Sequence, residues 1–573
     1  MEDPTLEWIV TLHNHEDLED FYNDMETPGG NLFIPDRAVG VEKRRSISRN
    51  THYMLTPAEA ALVKQDERVW DVDMADMIEN VPTYEFTGDF DKTTSGSADH
   101  INWGILRHTV EDNLSNWGLP GTSSKTRDVN ITASGKNVDV VIFDGHFDPL
   151  HPEFAVNPDG TGGSRVNQYN WFQNDIGSGT GTYAYTPYVD GTYPDNNGDG
   201  IPDRTDDNNH GAHVAGTVAG NKQGWARDAN IYNISIYGTN QNFGTNGLSS
   251  STYWDYVRAW HNAKAVNPAT GRKNPTITNH SYGSTVTLQA YTASSGAAYS
   301  APEKINYRGT EYDKGSALVE SDYTSRGIYT TDDTPTVQAY FTSRFADIQD
   351  AIDDGIIVVA AAGNDRCKIT NSTDQDYNNK VYWPYTFFGF DYEQTVYTHR
   401  GTGSAAGKAE VIVVGALSND TDEKKAGFSN TGSQVDIYAA GETIQSSLNT
   451  NQYATYGPYS DSRDSNYEGA KYYGTSMASP QVAGVLAILA ESWPNMTQAE
   501  AQQWIIDNAS DDKMFDSGAD DPMDLTSLQG GPNKILRWIN QRPEEGFAYP
   551  QRNFKPRPTT GAVYPRTKIR KRG

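Results

Sequence analysis

An α/β protein built on a mostly parallel sheet is predicted by three stretches of this 573-residue chain. Residues 138–143 (Val-Asp-Val-Val-Ile-Phe) form a short, almost continuously apolar run that stops at Asp144. That is the pattern of a parallel strand covered on both faces. Residues 346–354 read as a helix feeding a second such strand at 356–361. Residues 481–490 continue a helix that is apolar almost all round, so it belongs in a core. The expected architecture is three-layered, a central sheet between helices, with a small α/β unit in front of it.

That small unit occupies residues 1–80. Residues 8–12 read as a strand and 16–25 as an amphipathic helix. Thr56, Pro57 and Glu59 supply an N-cap, a first-turn proline and a capping-box glutamate for a helix to about residue 65. Residues 69–74 partly alternate as a strand should. Residues 81–100, polar and without periodicity around Thr93-Thr94-Ser95-Gly96-Ser97, predict an exposed linker. The main domain is then expected over 101–541.

Within it, 229–237 reads as a strand, 251–265 as a helix and 275–283 as an extended segment ending in glycine. Residues 284–335, rich in tyrosine, serine and threonine, are an insertion expected to be a surface loop, with a lid as the other reading. The helix opened by Ser476 should end near Trp493-Pro494, and Thr497 should cap another over 497–508. A last short helix is expected at 536–540. Residues 542–573 carry five prolines and nine Lys/Arg against two Glu, a basic extended tail that could lie on the acidic remainder or meet an acidic partner.

The chemistry gathers around Gly474-Thr475-Ser476-Met477-Ala478-Ser479-Pro480. A serine at the mouth of a buried helix is placed to react, but it needs a base and a group that orients the base. His210, opening the helical run 210–220, supplies the first; Asp144, at the carboxyl end of its strand, supplies the second. His213 is the competing base, and Asp206 and Asp207 are competing acids. A helix-start position opens to a cleft more readily than the next turn, and solvated loop carboxylates could not hold a ring firmly. Acid, histidine, serine is the chain order of subtilisin.

On these residues the chain resembles the subtilisin-like serine proteases, the subtilases. Asp144 with Phe147-Asp148 and His151-Pro152-Glu153-Phe154 is similar to the family's aspartate segment, although Gly145-His146 stands where Ser or Thr then Gly is usual. Residues 210–220 resemble its histidine helix, with Ala212 in place of threonine, and 474–480 its serine motif. Residues 411–416, 428–432 and 435–441 also fit, with Ala440 where proline is usual. The resemblance implies the first histidine, His210, as base. It also implies Asn364, in the segment 358–364, as oxyanion donor beside the Ser476 N–H. Substrate backbone would run along Ser281, Tyr282 and Gly283, opposite Ala361, Ala362 and Gly363. Residues 1–80 resemble the inhibitory propeptide, the alternative being a domain that stays attached, and Asn102-Trp103-Gly104 resembles the start of a mature domain. The expected activity is peptide-bond hydrolysis, with peptide or protein substrates and the chain's own propeptide as inhibitor. The rival reading is a non-catalytic component on the same scaffold, part of a larger assembly.

Residues 195–206 predict a calcium site by spacing. Asp195, Asn197, Asp199 and Asp203 fall at loop positions 1, 3, 5 and 9, with Gly200 at the sharp turn and Ile201 offering its carbonyl at 7. Asp206 at position 12 is shorter than the usual glutamate, and Pro202 opposes a following helix. The net charge of −29 argues against nucleic acid or an anionic membrane as the main partner. No apolar run is long enough to span a bilayer. The single cysteine, Cys367, excludes an internal disulfide and reads as a buried inert thiol. The start Met1-Glu2-Asp3-Pro4 shows no secretory signal, which leaves the compartment open.

Overall fold

The computed structural model describes residues 6–34, 49–74, 84–119, 121–145, 147–167, 169–170, 186–187, 209–236, 250–293, 295–330, 335–338, 340, 342–401, 407, 410–449, 457–521 and 524–539. The chain forms two compact units, Met1–Thr83 and Tyr84–Gly573.

In the first unit, strand β1 (Leu6–Leu12) is central, with helix α1 (Leu18–Glu26), strand β2 (Asn50–Leu55), helix α2 (Pro57–Val63) and strand β3 (Val69–Met74) following. Both outer strands pair antiparallel with β1. The capping box at Thr56 and Glu59 is formed as expected. Val10, Leu12, Phe21, Tyr53, Val63 and Val72 build the core. Strand β2 was not expected, although Thr51, Tyr53 and Leu55 alternate into that core.

The second unit starts with a correction. The expected linker over 81–100 carries strand β4 (Tyr84–Asp91), which pairs antiparallel with β5 (Ser124–Ile131) and parallel with His100–Ile101. Its end is buried: the Lys471 ammonium donates to the Asp91 carbonyl at 2.9 Å and the Thr93 carbonyl at 3.0 Å. The polarity that suggested a linker belongs to side chains with partners.

Among the described residues the main sheet has nine strands. Toward one side of it, β6 (Asp139–Asp144) is flanked by β7 (Asn230–Ser235) and β8 (Thr276–His280), both parallel to it. Beyond β8 come Ile357–Ala361, Ile412–Leu417 and Ile437–Ala440, also parallel. The far edge is the antiparallel pair Ser510–Asp511 and Lys534–Ile535. Every residue of β6, β8 and the three strands beyond is buried. Since neighbouring side chains leave a strand on opposite faces, both faces are covered. The chain leaves β6 toward one side for β7 and returns on the other for β8. The carboxyl end of β6 is therefore a topological switch point, where α/β folds place their ligands.

Helix α3 (Asn209–Ala219) packs on β6 and on a long helix, Thr475–Ser492. Ser250–Ala263 and Thr342–Asp353 form a second contacting pair. The expected helix at 536–539 is absent; those residues follow the edge strand without helical structure, and residue 540 lies outside the described residues. Residues 542–573 also lie outside them.

The insertion differs most from expectation. The described residues of 284–335 are part of a folded β unit rather than a surface loop. Its middle strand, Lys380–Phe387, pairs antiparallel with Phe390–Tyr397 on one edge and with Lys304–Tyr307 and Ala298–Tyr299 on the other. Leu288, Ile305, Leu318, Tyr323, Val381 and Trp383 form a core of its own. Tyrosine and threonine raised the polarity of the stretch, but both favour strands, and one buried residue in two suffices to cover one sheet face.

Candidate active site

Asp144 ends the switch-point strand and is fully buried. Its neighbour, Gly145, donates its N–H to one carboxylate oxygen at 2.7 Å. The Asn233 side chain clamps the turn by donating to the carbonyls of Ile142 and Gly145, both at 3.2 Å. Helix α3 starts hard against this turn. A Cβ on Gly211 would stand 2.2 Å from the Gly145 carbonyl oxygen, so glycine is required there. His146, the unexpected neighbour of Asp144, lies outside the described residues.

That close approach brings His210 onto the carboxylate. Its Nδ1 lies 2.9 Å from both oxygens of Asp144. Burial works against the charged imidazolium, but the charge of Asp144 and its hydrogen bond outweigh it, so the His210 pKa is raised above the ordinary 6.5. With Nδ1–H committed to Asp144, Nε2 carries the lone pair a base needs.

His213 is a packed residue, as expected. It is fully buried, stacks on Tyr472 at 4.6 Å and donates Nε2–H to the Ile444 carbonyl at 2.8 Å. Burial pushes its pKa down to about 3, so it stays neutral.

Ser476 is the second residue of the helix Thr475–Ser492, of which residues 475–490 are buried. Pro480 sits four residues after Ser476 and has no N–H, so the Ser476 carbonyl has no intrahelical donor. Ser281 fills that place: its hydroxyl donates to the Ser476 carbonyl at 2.9 Å. In return, Ser476 Oγ donates to the Ser281 carbonyl at 3.0 Å. Asn279 donates to Ser281 Oγ and accepts from Ser479 Oγ, closing a buried network under the serine. Sequence reasoning missed this clamp, although a proline four residues after the serine signals the orphaned carbonyl.

Asn364 is oriented by Thr475. Its Oδ1 accepts from the Thr475 N–H and hydroxyl, both at 2.8 Å, so Nδ2 points elsewhere as a donor. Gly474 has φ 148°, in the region that favours glycine. A Cβ there would lie 3.4 Å from both Asn364 Nδ2 and the Ser476 backbone nitrogen. The two donors thus converge on one small volume beside the serine.

Ser281, Tyr282 and Gly283 follow strand β8 as it leaves the sheet; Ser281 is buried, Tyr282 half-buried and Gly283 exposed. Ala361 ends its strand. Ala362 is fully buried, its carbonyl taken by the Asn430 amide at 2.8 Å. Gly363 donates its N–H to Thr475 Oγ1 at 3.1 Å. Ala440, the departure from proline, uses the N–H that proline lacks: it donates to His108 Nε2 at 3.0 Å. Cys367 is buried and its thiol pKa is pushed up by burial, in keeping with an inert role. Asp195, Asn197, Asp199, Ile201, Asp203 and Asp206 all lie outside the described residues. Among the described residues, no cluster of three or more His, Cys, Asp or Glu could hold a metal.

A model of the subtilase family (peptidase S8) matches residues 135–528. The chain belongs to the subtilase family. Subtilisin E of Bacillus subtilis (strain 168) is 30% identical over 155 residues, 27% of this chain and 29% of that protein. The match thus spans less than a third of the subtilisin's length. Subtilisin-like protease 3 of Arthroderma benhamiae is 24% identical over 487 residues, 82% of this subtilase and 86% of the relative. A solved cold-adapted subtilisin-like serine proteinase is similar at 19% identity, covering 77% of this chain and 98% of that one, with a TM-score of 0.42. No described helix is long and apolar enough to cross a membrane.

Proposed function

We propose that this subtilase is a serine endopeptidase using Ser476, His210 and Asp144. The observation that carries the reading is the ring of His210, which a buried Asp144 holds and whose helix packs against the Ser476 helix. Ser476 Oγ exchanges its bond to the Ser281 carbonyl for His210 Nε2 by a side-chain rotation, then attacks the scissile carbonyl carbon as Nε2 takes its proton. Asn364 Nδ2 and the Ser476 N–H stabilise the oxyanion. The C–N bond breaks as His210 returns the proton to the leaving nitrogen. Water, deprotonated by the same Nε2, then splits the acyl ester and restores the serine. Substrate backbone adds alongside 281–283, with 361–363 as the facing wall. Ser476→Ala should all but abolish hydrolysis of an unstructured peptide; equal turnover by the purified variant would overturn the assignment.

Residues 1–80 act in this reading as an inhibitory propeptide. Cleavage was expected between residues 80 and 102, and the strand starting at Tyr84 supports a break before it. Fresh wild-type protein should lose the unit while Ser476→Ala keeps it, as read by intact mass. A wild-type enzyme that stays full length while hydrolysing peptides would make it a permanent domain. Asp195, Asn197, Asp199, Ile201, Asp203 and Asp206 hold calcium, whose charge offsets the mutual repulsion of the carboxylates of Asp195, Asp199, Asp203 and Asp206 close in sequence to His210. Chelation should lower thermal stability and activity together, and calcium should restore both. An unchanged melting curve in metal-free protein would remove the site.

A further inference from the structure

The two chain segments that flank the serine, residues 281–283 and 361–364, are connected by a device of the insertion. Two residues after Gly283 the chain enters a strand, Thr285–Thr287, and the insertion's return strand, Thr336–Gln338, pairs antiparallel with it. In that register Gln338 stands directly across from Thr285. The Gln338 side chain then crosses to the other segment. Its Nε2 donates to the Ala362 carbonyl at 3.3 Å and to the Asp365 carboxylate at 3.2 Å. Its two acceptors therefore bracket Asn364. A Cβ on Gly363, whose φ is 105°, would stand 2.3 Å from Gln338 Nε2, so glycine is also what lets the amide reach in.

The cost of this arrangement to folding points to a role. Gln338 is 2% exposed, and its Oε1 is buried with no hydrogen-bond partner among the described residues. A buried acceptor left unpaired opposes stability. Ala362 is already served by Asn430, whose amide also receives the Asp365 and Cys367 N–H groups. The local fold thus has its own clamp. What Gln338 adds is a tie from the substrate-side segment to the Asn364-side segment, across one strand pair.

We infer that Gln338 is a positioning residue: through the strand pair 285–287 and 336–338 it sets the oxyanion donor Asn364 against the substrate strand 281–283. This rests on the oxyanion reading of Asn364 given above. Gln338 touches no reacting atom, and its effect passes through the 362–365 backbone. A placement error well under an ångström at an oxyanion donor weakens the transition state more than the bound substrate.

The test uses full-length enzyme and steady-state hydrolysis of one peptide. Gln338→Met keeps the length and removes the amide. The expected result is kcat lowered about 5- to 20-fold with KM changed less than 2-fold, and a melting temperature changed little, because removing the unpaired oxygen offsets the loss of the bonds to Ala362 and Asp365. Asn364→Ala should lower kcat by about 10²–10³-fold. In the Asn364→Ala background, adding Gln338→Met should change kcat less than 2-fold, since there is no donor left to place. If Asn364→Ala leaves kcat intact, the oxyanion reading itself fails. If Asn364→Ala acts as expected but Gln338→Met leaves kcat unchanged, the brace is overturned alone. It is overturned equally if Gln338→Met lowers stability and activity in step, or if its effect persists unchanged in the double variant.

Discussion

The sheet of the main unit and the sheet of the insertion solve burial differently. In Asp139–Asp144, Ile357–Ala361 and Ile412–Leu417 every residue is buried, and the strands read as apolar runs. In Lys380–Phe387 only Val381 and Trp383 are buried, both facing the insertion's core. The first sheet can hold a buried carboxylate at a strand end, because two covered faces and a clamped turn exclude water from it. The second is a half-covered platform, and a separate strand pair packed on its core, 285–287 with 336–338, reaches the site through one glutamine. Chemistry should therefore be lost by small changes in the first region, while changes in the core of the second should cost stability and leave the reacting groups in place, Gln338 being the one contact through which the second region acts on turnover.

The largest effect should come from the sheet end itself. Asp144→Asn removes the charge that holds the His210 tautomer and should lower turnover about 10⁴-fold at neutral pH. In the wild type the acidic limb of kcat/KM should lie above pH 6.5, because the His210 pKa is raised and only the neutral ring is a base. A limb well below 6.5 would break the link between Asp144 and His210.

Trp383→Ala sharpens the contrast from the other side. Trp383 is 2% exposed in the insertion core, and its truncation should destabilise that unit by about 3–5 kcal/mol. Labelling of Ser476 should persist in the same protein at temperatures where the insertion is open to hydrogen exchange. Loss of both together would show that the two regions unfold as one.

Ser281→Ala is expected to cost about 1–3 kcal/mol, since it leaves the Ser476 carbonyl buried and unpaired beside Pro480. Thermal unfolding of the variant checks this, and an unchanged melting temperature would mean that the proline's missing N–H needs no substitute.

The mildest test is acid. Burial holds His108, His213 and His280 neutral, with pKa values pushed down to about 3. Between about pH 6.5 and 3 the unfolded chain binds protons that the folded chain refuses, so stability falls as pH falls. His210 acts in the opposite sense: its raised pKa adds stability below 6.5 that is lost as pH rises through the folded value. His151, His261 and His399 are shifted down by burial too, so the histidines that resist protonation outnumber His210 and predict a net drop in melting temperature from pH 7 to pH 4.5. A rise would mean that these histidines are charged in the folded state.

The same contrast explains what could be read from the sequence. The strand at 138–144, the helix after Ser476, the capping box at Thr56 and the cap at Thr497 were legible because periodicity and caps are local. So were Asp144 and His210, which the fold brings together. The insertion was not, because its strands carry no more than one or two buried residues each, among tyrosines and threonines, which sequence polarity presents as a loop. Strand Tyr84–Asp91 was hidden in the same way: the partners that satisfy Asp91 and Lys92 come from residues more than 300 positions on. Gln338 could not have been found, since its meaning depends on a strand register and on Gly363.

The measurement that bears most directly on the central claim is labelling with a fluorophosphonate probe, followed by peptide mapping of native protein. The account predicts one adduct, on Ser476, that forms at neutral pH, weakens as His210 is protonated and is lost in His210→Ala. Protein that has shed residues 1–80 but forms no adduct, or forms one on another hydroxyl, would contradict it.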